Sequence, residues 1–232
     1  MKRQDVLFAL GAALVLCPFF IFPAVFAAYE RLNIEHGLLL SFVKFAVLAT
    51  TGEVIGLRIR TGAYSAPGFG VLPRAVVWGF LGLGIYVAFA IFSQGAPASL
   101  RLLGIPVTAD VMKGPLSGHK VLGSFWISLT MNAVFAPVMM TVHKITDEHI
   151  TRHGGLLSGL LRPIDVGGIL AKVNWSVMWG FVFKKTIPRF WIPAHTLTFL
   201  LPPQHRVLFA AALGVVLGVL LAVASRKPAP VS

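Results

Sequence analysis

A carboxylate inside a hydrocarbon-like run is the first residue in this chain that could do chemistry. Glu53 lies in "HGLLLSFVKFAVLATTGEVIGL", residues 36–57, where Lys44 is the other deeply placed charge. A charge at the centre of a bilayer costs about 2.5–3.5 kcal/mol on insertion scales, so such a group faces a cavity or a partner. Lys44 stands nine positions before Glu53, which puts the two on opposite sides of a helix, so each needs its own partner. The cations on offer are Lys184, Lys185 and Arg189, in "FKKTIPRFWIPAHTLTFLLPPQHRVL", residues 183–208. One of them is expected to pair with Glu53 along a polar path. The alternative is that the carboxylate and the lysines lie near the interfaces and snorkel to water.

Two more polar groups stand where apolar ones would be ordinary. Ser124, Ser128, Asn132, Ala136, Met139 and His143 recur at spacings of three and four, hence on one helical face. Small and polar residues on one face of a membrane helix make contacts with other helices; a pore lining is the rival assignment. His195 shares a face with Trp191 and Thr198. The polar-path candidates are therefore Glu53, Lys185, Arg189, Asn132 and His195. A two-histidine metal site with His205 would need the chain to run straight through Pro202 and Pro203, and no paired Cys–His spacing accompanies it, so neither metal nor other cofactor is expected. With no Gly-rich phosphate loop, G-x-S-x-G elbow or paired carboxylates, no catalytic residues are assigned and the chain is not expected to be an enzyme.

The elements that must position these groups follow from composition. Of 232 residues, 56% are hydrophobic and 12% charged, with a mean hydropathy of +0.82. Soluble domains carry about 25% charged residues. The fold class is all-α: a polytopic integral membrane helical bundle of about six (five to six) transmembrane helices, in one membrane domain spanning residues 1–232. The apolar runs are 6–29, 36–57, 75–92, 121–143, 173–201 and 207–224, with a short polar tail at 225–232. The first run has small residues at Ala24, Ala27 and Ala28 that suit signal cleavage, but it is longer than the usual 7–15 apolar residues and holds Pro18 and Pro23, so a retained helix is expected. A Gly- and Pro-rich loop is expected over 93–120 and a polar connection over 144–172.

The fifth run is the awkward one. Its 29 residues would extend about 43 Å as a straight α-helix, against about 30 Å of hydrocarbon. Pro188 and Pro193 each remove a donor and can kink it. The expectation is a shallow first part ending near Phe183, then a kinked segment over 186–201 that spans or re-enters. The last run carries Ala210, Gly214, Gly218 and Ala222 four apart, a face that lets another backbone approach closely, from an internal neighbour or from a second copy in a homo-oligomer.

The net charge of +12 is spread between the apolar runs rather than gathered on one aromatic-laced surface, so the bilayer and not nucleic acid is the expected partner. With the N-terminus cytoplasmic, Lys2, Arg3, Arg58, Arg60, Arg74, Lys144, Arg152, Arg162, Lys172, Arg226 and Lys227 fall inside, against Arg31, Arg101, Lys113, Lys120 and Arg206 outside. That bias puts both termini inside. Cys17 is the single cysteine and can form no internal disulfide. No Arg- and Ser-rich transit segment precedes the first helix, so a bacterial inner (plasma) membrane is expected, with the mitochondrial inner membrane as alternative.

Taken together, several of these motifs resemble a known family. "IPRFWIPAHTLTFLLPPQHRVL" is similar to the C-terminal signature of the peroxisomal membrane protein twenty-two / Mpv-seventeen family, through Pro188, Trp191, Thr198, Phe199, Pro202 and Arg206. "MNAVFAPVMM" resembles its polar, aromatic, Ala-Pro motif through Asn132, Phe135, Ala136 and Pro137, and "TTGEVIG" its Gly-acid motif through Gly52 and Glu53. The likeness covers about 36–225. The chain departs from the family in having Thr198 where Asn is usual and Glu53 where Asp is usual. It lacks the Gln after that acid, and the Gly-Pro and His-x-Trp-Tyr signature is absent around Gly82, Gly84 and Tyr86. The family is usually drawn with four crossings, so the 6–29 helix would be an addition.

The resemblance implies an integral membrane protein associated with channels for small solutes, and no cofactor. It also implies a helix shaped by Pro188 and Pro193, and a hairpin made by Pro202, Pro203 and Arg206. The functional expectation is a small-solute channel or permeability protein. In it Glu53 sets charge preference, Lys185 and Arg189 act as its gate or partner, and Asn132 and His195 line the path. The alternative is a structural or assembly membrane protein without transport activity.

Overall fold

The computed structural model describes residues 3–225; Lys2 and the 226–232 part of the tail, with Arg226 and Lys227, lie outside them. Twelve helical segments occur among the described residues, without a strand. The fold is all-α, and the protein is an integral membrane protein. Five helices are long and apolar enough to cross a bilayer, or six if one bent helix pair counts as a span.

The chain divides into two compact units, Met1–Leu40 and Ser41–Ser232. In the first, α1 (Arg3–Ile21) and α2 (Pro23–Glu35) replace the single helix expected over 6–29. Pro23 causes the break. Phe22 before it is extended (φ −112°, ψ 103°), because the ring excludes the α conformation there, and Pro23 then opens α2 where its missing donor costs nothing. Tyr29 meets Phe19 edge-on, with ring centroids 5.7 Å apart.

The second unit holds the long helices. α3 (Gly37–Thr61) follows the expected boundaries closely. α4 (Val71–Leu102) and α6 (Gly118–Arg152) are both much longer than the apolar runs inside them. Most of the loop expected over 93–120 is thus helical, with only the short α5 (Ala109–Lys113) interrupting the connection. "GAPASL" continues α4 because Ala96, Pro97 and Leu100 are buried, and tertiary packing overrides the local punctuation. α6 likewise runs on past His143 through the first third of the stretch expected to be a polar connection. Thr146 and Thr151 bond back to carbonyls of their own helix, and Glu148 pairs with Arg152 at 3.2 Å.

The fifth run departs most from expectation. A 3-10 turn (Leu157–Leu161) and α7 (Val166–Lys172) lead to a bend of 73°, and from there helix continues from Trp175 to Leu200. The bend falls at residues 173–174, not at Pro188, and no shallow segment ends at Phe183. After α8 (Trp175–Val177) the chain forms a π-helix over Met178–Trp191, then α9 (Ile192–Leu200). In an α-helix the ring of Pro188 would press on the carbonyl four residues back. Widening to i→i+5 bonding, as in Ile192 N–H to Ile187 O, relieves that contact and lets the helix pass both prolines. Leu201 is extended, Pro202 turns the chain, and α10 (Pro203–Ala224) begins. Arg206 closes this hairpin by donating to Leu201 O at 2.9 Å and Phe199 O at 3.1 Å.

The core of this unit gathers Phe45 and Ala49 of α3, Ile85 and Phe89 of α4, Ile127 and Met131 of α6, Phe199 of α9 and Ala211 of α10. The small-residue face of α10 meets α3. A Cβ on Gly52 would stand 2.9 Å from Val215 Cα, and one on Gly218 would stand 3.1 Å from Gly52 O. Ala210 and Ala222 are buried. The close-approach partner is therefore an internal helix. Gly214 differs from its fellows, since a Cβ there would meet nothing within 4 Å.

That contrast is testable. Gly52→Ala is expected to lower the unfolding free energy in detergent by roughly 1–3 kcal/mol through backbone overpacking. Gly214→Ala should leave it unchanged or raise it by up to about 1 kcal/mol through helix propensity. Equal losses at both positions in thermal unfolding would contradict the α3–α10 crossing.

Candidate functional site

The local turn before α4 explains how its first charged residue is aimed. Gly70 is left-handed (φ 66°), which folds the chain back at the helix start. Phe69 is thereby brought under Arg74: its carbonyl accepts from Nε at 2.7 Å, and its ring centroid lies 4.6 Å from the guanidinium carbon. With Nε held, the Nη1 edge is left to reach other helices.

It reaches two carboxylates. Arg74 Nη1 donates to Glu53 Oε2 of α3 at 2.7 Å, and to Asp147 Oδ1 of α6 in a very short contact. His143, one turn before Asp147, places Nε2 3.1 Å from Glu53 Oε1 and Nδ1 3.5 Å from Asp147 Oδ1. The four side chains close a ring of alternating sign: Glu53, Arg74, Asp147, His143 and back to Glu53. With His143 as imidazolium the charges sum to zero. Trp78, one turn after Arg74, donates Nε1 to Glu53 Oε1 at 2.8 Å, and its ring meets His143 edge-on at 4.4 Å. The ring joins three helices, and its side chains are 10–26% exposed.

Glu53 and His143 form part of the wall of a cavity of about 240 Å³ between α3, α4, α6, the 178–200 helix and α10. Further along the same wall Asn132 and His195 pair, with Asn132 Nδ2 and Oδ1 3.1 and 3.3 Å from His195 Nδ1. Ser128 O anchors the amide at 2.8 Å, and Ser128 Oγ donates to Ile192 O at 2.7 Å. Trp191 stacks on the imidazole at 5.1 Å, and Phe89 meets it edge-on at 5.8 Å. Nδ1 is taken by Asn132, so Nε2 is the ring nitrogen left for an occupant of the cavity. Asn132 and His143 are eleven residues apart on α6, about 16 Å along its axis and on the same face. Phe135, Met139 and Met140 line the wall between them. The cavity thus has an apolar middle and a polar group at each of two levels.

Three of the five residues singled out from sequence, Glu53, Asn132 and His195, line this one cavity. Lys185 and Arg189 do not. Both are exposed, and the partner expected for Glu53 among Lys184, Lys185 and Arg189 is instead Arg74. The six-residue stripe on α6 divides along its length: Ser124 and Ser128 are buried in helix packing, while Met139 and His143 face the cavity. Arg74, Trp78 and Asp147 were missed. Arg74 had been counted as a flanking cation because α4 was expected to start at Ala75. The signals that could have found them are the four-residue spacings Arg74–Trp78 and His143–Asp147.

Glu53, His143 and Asp147 bring potential ligand atoms within 4.8 Å of one another. The guanidinium of Arg74 already lies against both carboxylates, and a dication would add its charge beside it. The set fits an ion-paired ring and not a metal centre. His195 is partnered by Asn132, not by His205.

Removing Arg74 should therefore harm more than removing a whole ion pair. Arg74→Met is expected to cost roughly 3 kcal/mol, the low end for a buried pair because these groups retain some exposure. Arg74→Met combined with Glu53→Gln should recover part of that loss. Unfolding in detergent measures both, and a single variant as stable as the parent would contradict the ring.

No family model, no curated protein and no solved structure matches this chain.

Proposed function

We propose that the protein is a permeation path for small solutes across its membrane, running through the cavity between α3, α4, α6, the 178–200 helix and α10. The observation that carries this reading is the cavity itself: an unfilled space of about 240 Å³ within a membrane bundle, with ionisable groups on its wall. Asn132 and His195, on the same wall about 16 Å along α6 from the charged end, are polar groups at membrane depth, which are costly and mark paths or cavities where they occur. A purely structural bundle has no use for an open face at Gly214, and closing it would take only a larger side chain.

The ring of Glu53, Arg74, Asp147 and His143 acts as the gate in this reading. It ties α3, α4 and α6 together beside the cavity, and the solute passes when those ties loosen. Asn132 and His195 offer hydrogen bonds deeper in, and Phe135, Met139 and Met140 give an apolar middle that favours small, weakly polar solutes over ions. The resemblance to the peroxisomal membrane protein twenty-two / Mpv-seventeen family agrees with this, since Glu53, Asn132 and Phe135, which carry two of its motifs, all face the cavity. The rival, a structural or assembly protein, explains the ring but not the space beside it.

Solute release from liposomes holding the purified protein tests the reading. The parent should release small neutral solutes faster than empty liposomes do. Glu53→Gln should raise release severalfold by opening the ring, and Gly214→Leu should suppress it while folding is retained, because its side chain enters the cavity. No release above empty liposomes, with the protein folded and inserted, would remove the permeation path and leave the assembly role.

A further inference from the structure

The three cations that do not reach Glu53 require another explanation. Lys184, Lys185 and Arg189 sit in the π-helix, where residues four and five apart lie above one another. Lys185 and Arg189 are four apart, and Lys184 and Arg189 are five apart, so all three share one face. Trp179, five before Lys184, belongs to the same face, and the Lys184 ammonium lies 5.6 Å from its ring centroid. All four side chains are exposed, while Ile187 and Trp191 on the opposite face pack with Ala136 and Met140 of α6. None of the three cations has an ion-pair partner among the described residues. The face points away from the bundle, so what neutralises it comes from outside.

Its depth can be read from α6. The two helices run antiparallel: Asn132 meets His195, and Ala136 and Met140 pack with Trp191 and Ile187. Carrying that register on by one turn brings Lys184 and Lys185 level with His143 and Lys144, at the charged end of the cavity where Arg74 and Asp147 also lie. Charges from α3, α4, α6 and the π-helix therefore gather at one level of the bundle. A band of charge across several membrane helices marks the headgroup layer, and an outward indole beside it is the interfacial position of tryptophan. Three unpaired cations facing outward in hydrocarbon would be prohibitive, whereas the same three in the headgroup layer meet phosphates.

We propose that the Trp179–Lys184–Lys185–Arg189 face of the π-helix is a binding site for the phosphate of an anionic phospholipid. The i→i+5 coil collects the three donors into one turn, which matches a phosphate with several oxygens better than donors spaced along an α-helix. This inference stands apart from the permeation reading.

Native mass spectrometry of the full chain in detergent, with phosphatidylcholine and phosphatidylglycerol supplied together, reads it directly. The parent should retain phosphatidylglycerol in preference, and raised salt should release it. The Lys184→Gln, Lys185→Gln, Arg189→Gln triple variant should bind it about a hundredfold more weakly. Lys184→Arg with Lys185→Arg should keep it, and Lys113→Gln, on α5, should change nothing. Equal retention of the two lipids by the parent would overturn the proposal, as would an unaffected triple variant or displacement of the lipid by inorganic phosphate. If the triple variant does not fold, the parent decides alone, because retention insensitive to salt rules out a charge-based site.

Discussion

A charge held within a membrane bundle must be cancelled by another charge near it, and in this protein that requirement binds three helices into one arrangement. Arg74 cannot satisfy Glu53 unless α3 and α4 lie side by side. It cannot satisfy Asp147 unless α6 joins them. His143 closes the circuit from the other side of both acids. The arrangement is over-determined: moving any one helix breaks two edges of the ring at once. Such a ring fixes the register of the bundle at one level. The remaining packing, such as Phe45 over Gly82 or Gly218 against Gly52, can then be tight elsewhere.

The α3–α10 crossing shows the complementary constraint. Between membrane helices there is little hydrophobic driving force, so attraction comes from close backbone approach and the contacts it allows. Gly52 and Gly218 supply that approach and leave no room for a methyl group between them. Charge on one side of α3 and the absence of side chains on another thus hold the same helix. Glu53 is the residue next to Gly52, so the two devices are joined through a single turn of α3.

Much of the architecture was legible in the sequence, for physical reasons that also explain what was not. Apolar length reveals a membrane helix directly, and α3 and α10 matched their apolar runs closely because their ends coincide with the ends of those runs. α4 and α6 continue beyond theirs, and what holds the extra turns helical is packing against other elements. The burial of Ala96 and Leu100 is one case, and the bond from His149 Nε2 to Gly159 O at 2.9 Å is another. Composition cannot display such contacts. The same limit governed the site. Glu53, Asn132 and His195 stood out because polar residues in apolar runs are rare. Arg74 and Asp147 did not, because near the end of a run a charge looks like an ordinary flank. The face of α6 was visible from its period, but what each part of it meets was not.

That last difference carries the logic of the site. Along one face of α6 the neighbours change while the residues stay small or flexible. At Ser128 and Asn132 the face is met by Ile192 and His195, which fill the space and take the hydrogen bonds. Farther along, Met139 and His143 share the cavity wall with Gly214, Leu217 and Gly218 of α10. Gly218 is used up in the contact with Gly52, whereas a Cβ on Gly214 would meet nothing within 4 Å. A glycine whose missing side chain faces open space, between two helices otherwise held at close range, leaves a void beside it. The cavity is therefore a consequence of how the α3–α10 crossing is built. Gly52 and Gly218 bring the helices together, and the next small residue of the same repeat, one turn away, keeps the space open beside the charged ring.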